Sequence, residues 1–137
     1  MAAWLDRRDG SWFEWFEARV EQASEDPVER LFAVFDVLGQ WFAGEHYRGC
    51  AFLNTMAEVP DRAHPAHAIV SRHVERLRKD LRCWAEAAGT TVPAALADQL
   101  FLLVEGGTVT SLVRSGSVAA TAARPRSQLL NSAVKDR

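Results

Sequence analysis

The sequence predicts an all-α fold, one helical bundle, on three grounds. Apolar residues recur at three- and four-residue steps along several stretches, no alternating strand pattern competes with them, and Asp, Pro and Gly stand where such helices would begin and end. The length of 137 residues, with 48% hydrophobic and 25% charged, suits a single sizeable core and gives no sign of a second. A formal net charge of −2 supplies no electrostatic reason to bind nucleic acid or an anionic membrane.

The first element is a helix rich in tryptophan. Asp6, Arg7, Arg8 and Asp9 precede Gly10 and Ser11, which predicts an interruption there before Trp12 to Ala23 continues the helix. Asp26 and Pro27 form a cap and first turn for the second element, in which Leu31, Val34, Phe35, Leu38 and Phe42 share one face until Gly44. A short helix then runs from near Gly49 to Pro60. Between Cys50 and Met56 it carries almost no charge, and it is too short to cross a bilayer, so it is expected to be buried among other helices.

After a loop at 61–64, Pro65 opens a long helix that Gly89 closes. Ile69 or Val70, Val74, Leu77, Leu81 and Trp84 form its inward stripe, and Arg72, Glu75, Arg76, Arg78, Lys79 and Arg82 face water. Thr91 and Pro93 start the next helix, Ala94 to about Arg114, which Ser115 and Gly116 end. Leu96, Leu100, Leu103 and Gly107 make one apolar line on it, and Phe101, Val104, Thr108 and Leu112 make another. A helix apolar on two sides needs two partners. Gly106 and Gly107 each cost such a helix about 1 kcal/mol relative to alanine, which is explained either by close approach of another backbone or by a kink near the helix end. Val118 to Arg124 begins a last helix that Pro125 kinks or shortens, and a mobile basic tail follows. The expected organisation is a core over 1–116 containing the two-sided helix 93–114, a final helix over 117–130, and a tail over 131–137.

Catalytic signatures are missing. There is no phosphate-cradling glycine loop, no Gly-x-Ser-x-Gly elbow and no Cys-x-x-Cys pair. His64, His67 and His73 have helical spacing, but His64 precedes Pro65 and no neighbouring Asp, Glu or Cys completes a tetrahedral set. The expectation is therefore a protein without catalysis, metal or cofactor. Cys50 and Cys83, the only cysteines, are expected to be two buried thiols. Charged residues Asp6 to Arg8 stand where a secretory signal would need an apolar run, so the chain is expected to be cytoplasmic.

One ordered set of segments carries a resemblance. An aromatic-ended helix is followed by Tyr-Arg-Gly-Cys-Ala-Phe-Leu-Asn (47–54), then Glu-Val-Pro-Asp (58–61) and His-Pro-Ala-His (64–67). Over about residues 4–115 this order resembles the effector-binding domain of tetracycline-repressor (TetR) family transcriptional regulators. The resemblance implies an all-α ligand-binding and dimerising domain, with repression relieved by ligand. It also implies that DNA is read by a helix-turn-helix domain for which this chain has no basic three-helix segment.

In such a domain the pocket lies inside the bundle, and apolar walls suit a small hydrophobic or aromatic effector. The residues expected to form the walls are Trp12, Phe16, Phe35, Leu38, Phe52, Met56, Val74, Leu77 and Phe101, with Asn54, His73 and Glu105 as polar contacts. Glu105 stands in an apolar helix, where a carboxylate finds a partner, stays protonated, or points to solvent. The resemblance further implies a homodimer, with Leu96, Leu100, Leu103, Gly107, Val118 and Ala122 expected at its interface. The competing expectation is a stand-alone homodimeric interaction module with no ligand.

Overall fold

The computed structural model describes residues 2–45 and 47–124. They form α1 (Ala2–Ala23), α2 (Pro27–Phe42), α3 (Ala51–Glu58), α4 (Pro65–Ala87), α5 (Pro93–Thr110) and α6 (Gly116–Ala123), with no strand among the described residues. The protein is all-α. No helix of the described residues is long and apolar enough to cross a membrane.

Contrary to expectation, α1 runs unbroken through Gly10 and Ser11. Leu5, Asp9, Phe13, Phe16 and Val20 recur at helical spacing and are all buried. Burying that face outweighs the roughly 1 kcal/mol that one interior glycine costs. α2 starts where Asp26 accepts a hydrogen bond from the Val28 N–H at 3.1 Å, with Pro27 in the first turn. It is the central helix, packed by α1, α4, α5 and α6, and Phe35 and Leu38 lie wholly inside its core.

Gly49 carries the chain into α3 with a φ of 82°, a left-handed conformation that glycine adopts without steric cost. Only Phe52 and Thr55 of α3 are buried. Asn54 and Met56 are exposed, Met56 at 46%, which corrects the expectation of a helix buried all round. Two turns lying against α4 cover one face, and the absence of charge in this stretch is not a measure of its burial.

α4 begins with His64 as its cap, Nδ1 accepting from the Ala66 N–H at 3.1 Å. Its inward stripe is Val70, His73, Leu77, Leu81 and Trp84, with Val74 only half-buried. Burial of the two cysteines is corrected as well. Cys50 is a buried thiol just before α3, while Cys83 is exposed on α4.

α5 ends at Thr110, short of the expected Arg114. Leu96, Ala97, Leu100, Val104, Gly107 and Thr108 are buried within the chain itself, and α6 covers part of this face. A Cβ on Gly107 would lie 3.0 Å from the Ala123 Cβ and 3.6 Å from the Ala119 carbonyl oxygen. A backbone does approach closely at this glycine, and it is that of α6 in the same chain. Leu96, Leu100 and Gly107 are therefore core residues and cannot form the expected intermolecular face. Leu102, Gly106, Val109 and Val113 are exposed instead, with Leu102 at 69% and Val113 at 83%, on a line one residue away from the expected one. Leu103 is half-buried, and Val118 and Ala122 are exposed on the outer side of α6. The expected kink at Pro125, the helix to residue 130 and the tail over 131–137 lie outside the described residues.

Candidate functional site

Two apolar clusters meet across a cavity of about 250 Å3. Its roof is one face of α1, where Arg8, Ser11, Trp12 and Trp15 recur at helical spacing. Trp41 from the end of α2 and Cys50, Ala51 and Phe52 from the joint into α3 close one side. His73 and Leu77 of α4 and Val104, Glu105 and Thr108 of α5 form the rest of the wall.

Rings set the shape of this space. Trp12 stacks on Phe16 with centroids 4.6 Å apart and meets Trp41 edge-on at 5.5 Å. Tyr47 leans edge-on against Trp41 at 4.9 Å. Its hydroxyl donates to Ser111 Oγ at 2.6 Å, and Ser111 donates in turn to the Thr108 carbonyl at 2.6 Å. The loop before α3 is thereby tied to the end of α5.

Four polar groups are held in or beside the cavity. His73 stacks face to face on Phe52 at 3.9 Å, and its Nδ1 lies 2.7 Å from Asp9 Oδ1, both side chains being buried. Burial pushes the His73 imidazole below its usual 6.5, against the pull of Asp9, so the ring is neutral at pH 7. Nδ1–H then donates to Asp9, and the Nε2 lone pair has no partner among the described residues. Trp12 Nε1–H is buried without an acceptor among the described residues. Burial raises the Glu105 carboxyl to about 7, and no described basic side chain ion-pairs with it. Burial likewise pushes the Cys50 thiol up to about 11, which leaves it an unreactive thiol rather than a nucleophilic thiolate.

Of the residues expected to contact a ligand, the structure brings Trp12, Phe52, His73, Leu77 and Glu105 together around the cavity. Phe16 stands behind Trp12 in the core, and Phe35 and Leu38 lie deep in that core, away from the space. Phe101 and Val74 are half-buried outside its lining, and Met56 is at the surface. Asn54 is exposed, its Nδ2–H donating to the Arg48 carbonyl at 3.4 Å. Arg8, Ser11, Trp15 and Trp41 escaped sequence reasoning. A break expected at Gly10 hid the fact that 8, 11, 12 and 15 share one helix face. His67 serves the fold, its Nε2 lying 2.6 Å from the Val59 carbonyl.

Five helices, α1 to α5, contribute to the walls of one half-open, aromatic-lined cavity, which defines a helical domain of the pocket-containing kind. Residues 27–125 match the family model described as the tetracyclin repressor-like C-terminal domain, and the chain belongs to that family. The crystal structure of SCO4454, a TetR-family transcriptional regulator from Streptomyces coelicolor, has the same fold, with a TM-score of 0.82 at 23% sequence identity. The similarity covers 95% of this chain and 67% of that one. No curated protein sequence matches the chain.

Proposed function

We propose that this domain senses a small lipophilic, ring-containing effector in the cavity beneath Trp12 and transmits its occupancy to a TetR-type regulator as relief of repression. The observation that carries the reading is the cavity itself. Space of about 250 Å3 bounded by Trp12, Trp15, Trp41 and Phe52 exceeds the roughly 150 Å3 that suffices for benzene in a dry protein cavity. Trp12 Nε1 and His73 Nε2, without partners among the described residues, offer one donor and one acceptor to orient a ligand. The absence of catalysis and a cytoplasmic location belong to the same proposal. So does the assignment of DNA contact to a helix-turn-helix reader rather than to these helices, whose chain has a formal net charge of −2.

Dimerisation is the second half of the proposal. Leu102, Gly106, Val109 and Val113 form an exposed apolar line on α5 and the turn after it, beside exposed Val118 and Ala122 on α6. Two copies meeting along this line in an isologous contact would cover it. Both the sensor and the ligand-free interaction module need such a contact, so the cavity distinguishes them.

A thermal-shift screen against small aromatic and lipophilic compounds tests the sensor, because a ligand that binds only the folded state raises the melting temperature by mass action. Hits are expected, and a screen with none favours the interaction module. Sedimentation at micromolar concentration tests the dimer, with Val109→Glu expected to yield monomers and a monomeric parent overturning it.

A further inference from the structure

The wall of the cavity carries information about the charge of its occupant. Resting on the cavity as the effector site, we propose that the effector is a lipophilic monocation, an ammonium group carried on a single ring, with its charge against Glu105 and its body among Trp12, Trp15 and Trp41.

Among the described residues Glu105 is the only acid lining the cavity, and its neighbours along α5 in that lining are Val104 and Thr108. A carboxylate taken from water into an apolar wall is destabilised unless a cation pairs with it or a proton neutralises it. The described cations nearby do not serve it. Arg8 is exposed at the mouth, with its guanidinium 5.4 Å from the Trp4 ring centroid. Arg76 of α4 is outside the lining and is held by Glu17 in a bidentate pair at 3.0 and 3.1 Å. Burial accounts for the raised Glu105 carboxyl with no relief from either arginine. Among the described residues the site thus holds a half-buried acid with no cation paired to it.

The remaining surfaces suit the same ligand. Indole is the aromatic face that attracts cations most strongly, and three indoles line this one space. A neutral ring would leave Glu105 unpaired, whereas an anion would meet Glu105 with only the rim arginine to compensate. A volume of about 250 Å3 accommodates one ring and a small charged head, since benzene alone occupies a cavity of roughly 150 Å3.

The test uses the full chain at pH 8, where Glu105 is ionised, and three probes: benzyltrimethylammonium, its uncharged carbon isostere neopentylbenzene, and the anion 3-phenylpropionate. Calorimetric titration is expected to show the cation binding about tenfold or more tighter than the isostere, the size of one charge-assisted contact. Glu105→Gln should abolish that preference. Trp15→Leu, which keeps the wall apolar but removes an indole face, should weaken the cation more than the isostere. If Glu105→Gln fails to fold, the parent's cation-to-isostere ratio and Trp15→Leu decide the question. Equal affinity for cation and isostere, a preference for the anion, or an unchanged preference in Glu105→Gln overturns the charge inference while leaving an effector cavity in place. No binding of any probe, together with an empty thermal screen, overturns both.

Discussion

The side of the molecule where α2, α5 and α6 meet and the side where α1, α3 and α4 meet are both apolar, yet they are packed in opposite ways. On the first side small residues dominate. Ala119, Ala120 and Ala123 lie against Gly39 and Gly107 so closely that added Cβ atoms would stand 3.2 and 3.0 Å from alanine methyl groups. On the second side large rings lean on one another at 4.6–5.5 Å between centroids, and Asp9, His73 and the Trp12 N–H are buried among them. Small side chains let helix backbones approach closely, whereas rings of fixed shape leave voids where their edges do not interlock. The tight side is a frame from which the exposed apolar line of α5 projects. The ring-lined side holds the cavity.

Truncations should expose this difference, beginning with the tight side. Phe35→Ala removes a fully buried ring from the core and should cost about 3–5 kcal/mol in urea unfolding. Trp15→Ala, at the edge of a space that already exists, should cost less than half as much, and equal costs would show that the two sides are packed alike. On the cavity side, Asp9→Ala strands the buried His73 Nδ1–H and should cost about 1–3 kcal/mol. Asp9→Asn, which keeps an acceptor, should recover much of that loss.

A smaller effect comes from pH. Burial, together with a hydrogen bond to Glu17, raises the Asp80 carboxyl from 3.8 to about 8, and burial raises Glu105 from 4.5 to about 7. Acids whose folded values are raised contribute stability that is fully present below their unfolded values and lost as pH rises through the folded ones. His73, lowered from 6.5, has the opposite sign and removes stability only as pH falls below about 6.5. The melting temperature should therefore decline from pH 6.5 to 8.5, and Asp80→Asn should flatten that decline. An unchanged slope in Asp80→Asn would remove Asp80 as its source. The smallest effect is expected at Met56→Ala, which should change stability by no more than about 0.5 kcal/mol because the side chain is at the surface. A cost of several kcal/mol would mean that α3 is buried after all.

Much of the frame was legible in the sequence because its signals are local. Asp26-Pro27 and His64-Pro65 mark helix starts through cap chemistry, and the spacing of Leu31, Val34, Phe35 and Leu38 shows which face of α2 is covered. The cavity was only partly legible. Trp12, Phe52, His73, Leu77 and Glu105 were recognisable as large or polar groups in apolar helices, but which apolar side chain lines a space and which fills the core depends on packing between helices. Phe35 and Phe101 carry no local mark that separates them from Phe52. Leu96, Leu100 and Gly107 were misread as an outer face for a related reason. Two apolar lines on α5 imply two partners, but only the fold reveals that α6 of the same chain takes the line through Gly107 and leaves Leu102, Gly106, Val109 and Val113 uncovered.

The central claim is that the space beneath Trp12 is where an effector binds, and filling it tests that claim most directly. Ala51 is half-buried and lines the cavity beside Phe52, so Ala51→Phe should place a ring in the space without disturbing α5 or α6. Calorimetric titration of a thermal-screen hit into the parent and into Ala51→Phe, with sedimentation run on both, is the decisive measurement. The account predicts binding to the parent, loss of binding in Ala51→Phe, and the same dimer for each. Undiminished affinity in a folded, dimeric Ala51→Phe would contradict it and move the effector site elsewhere.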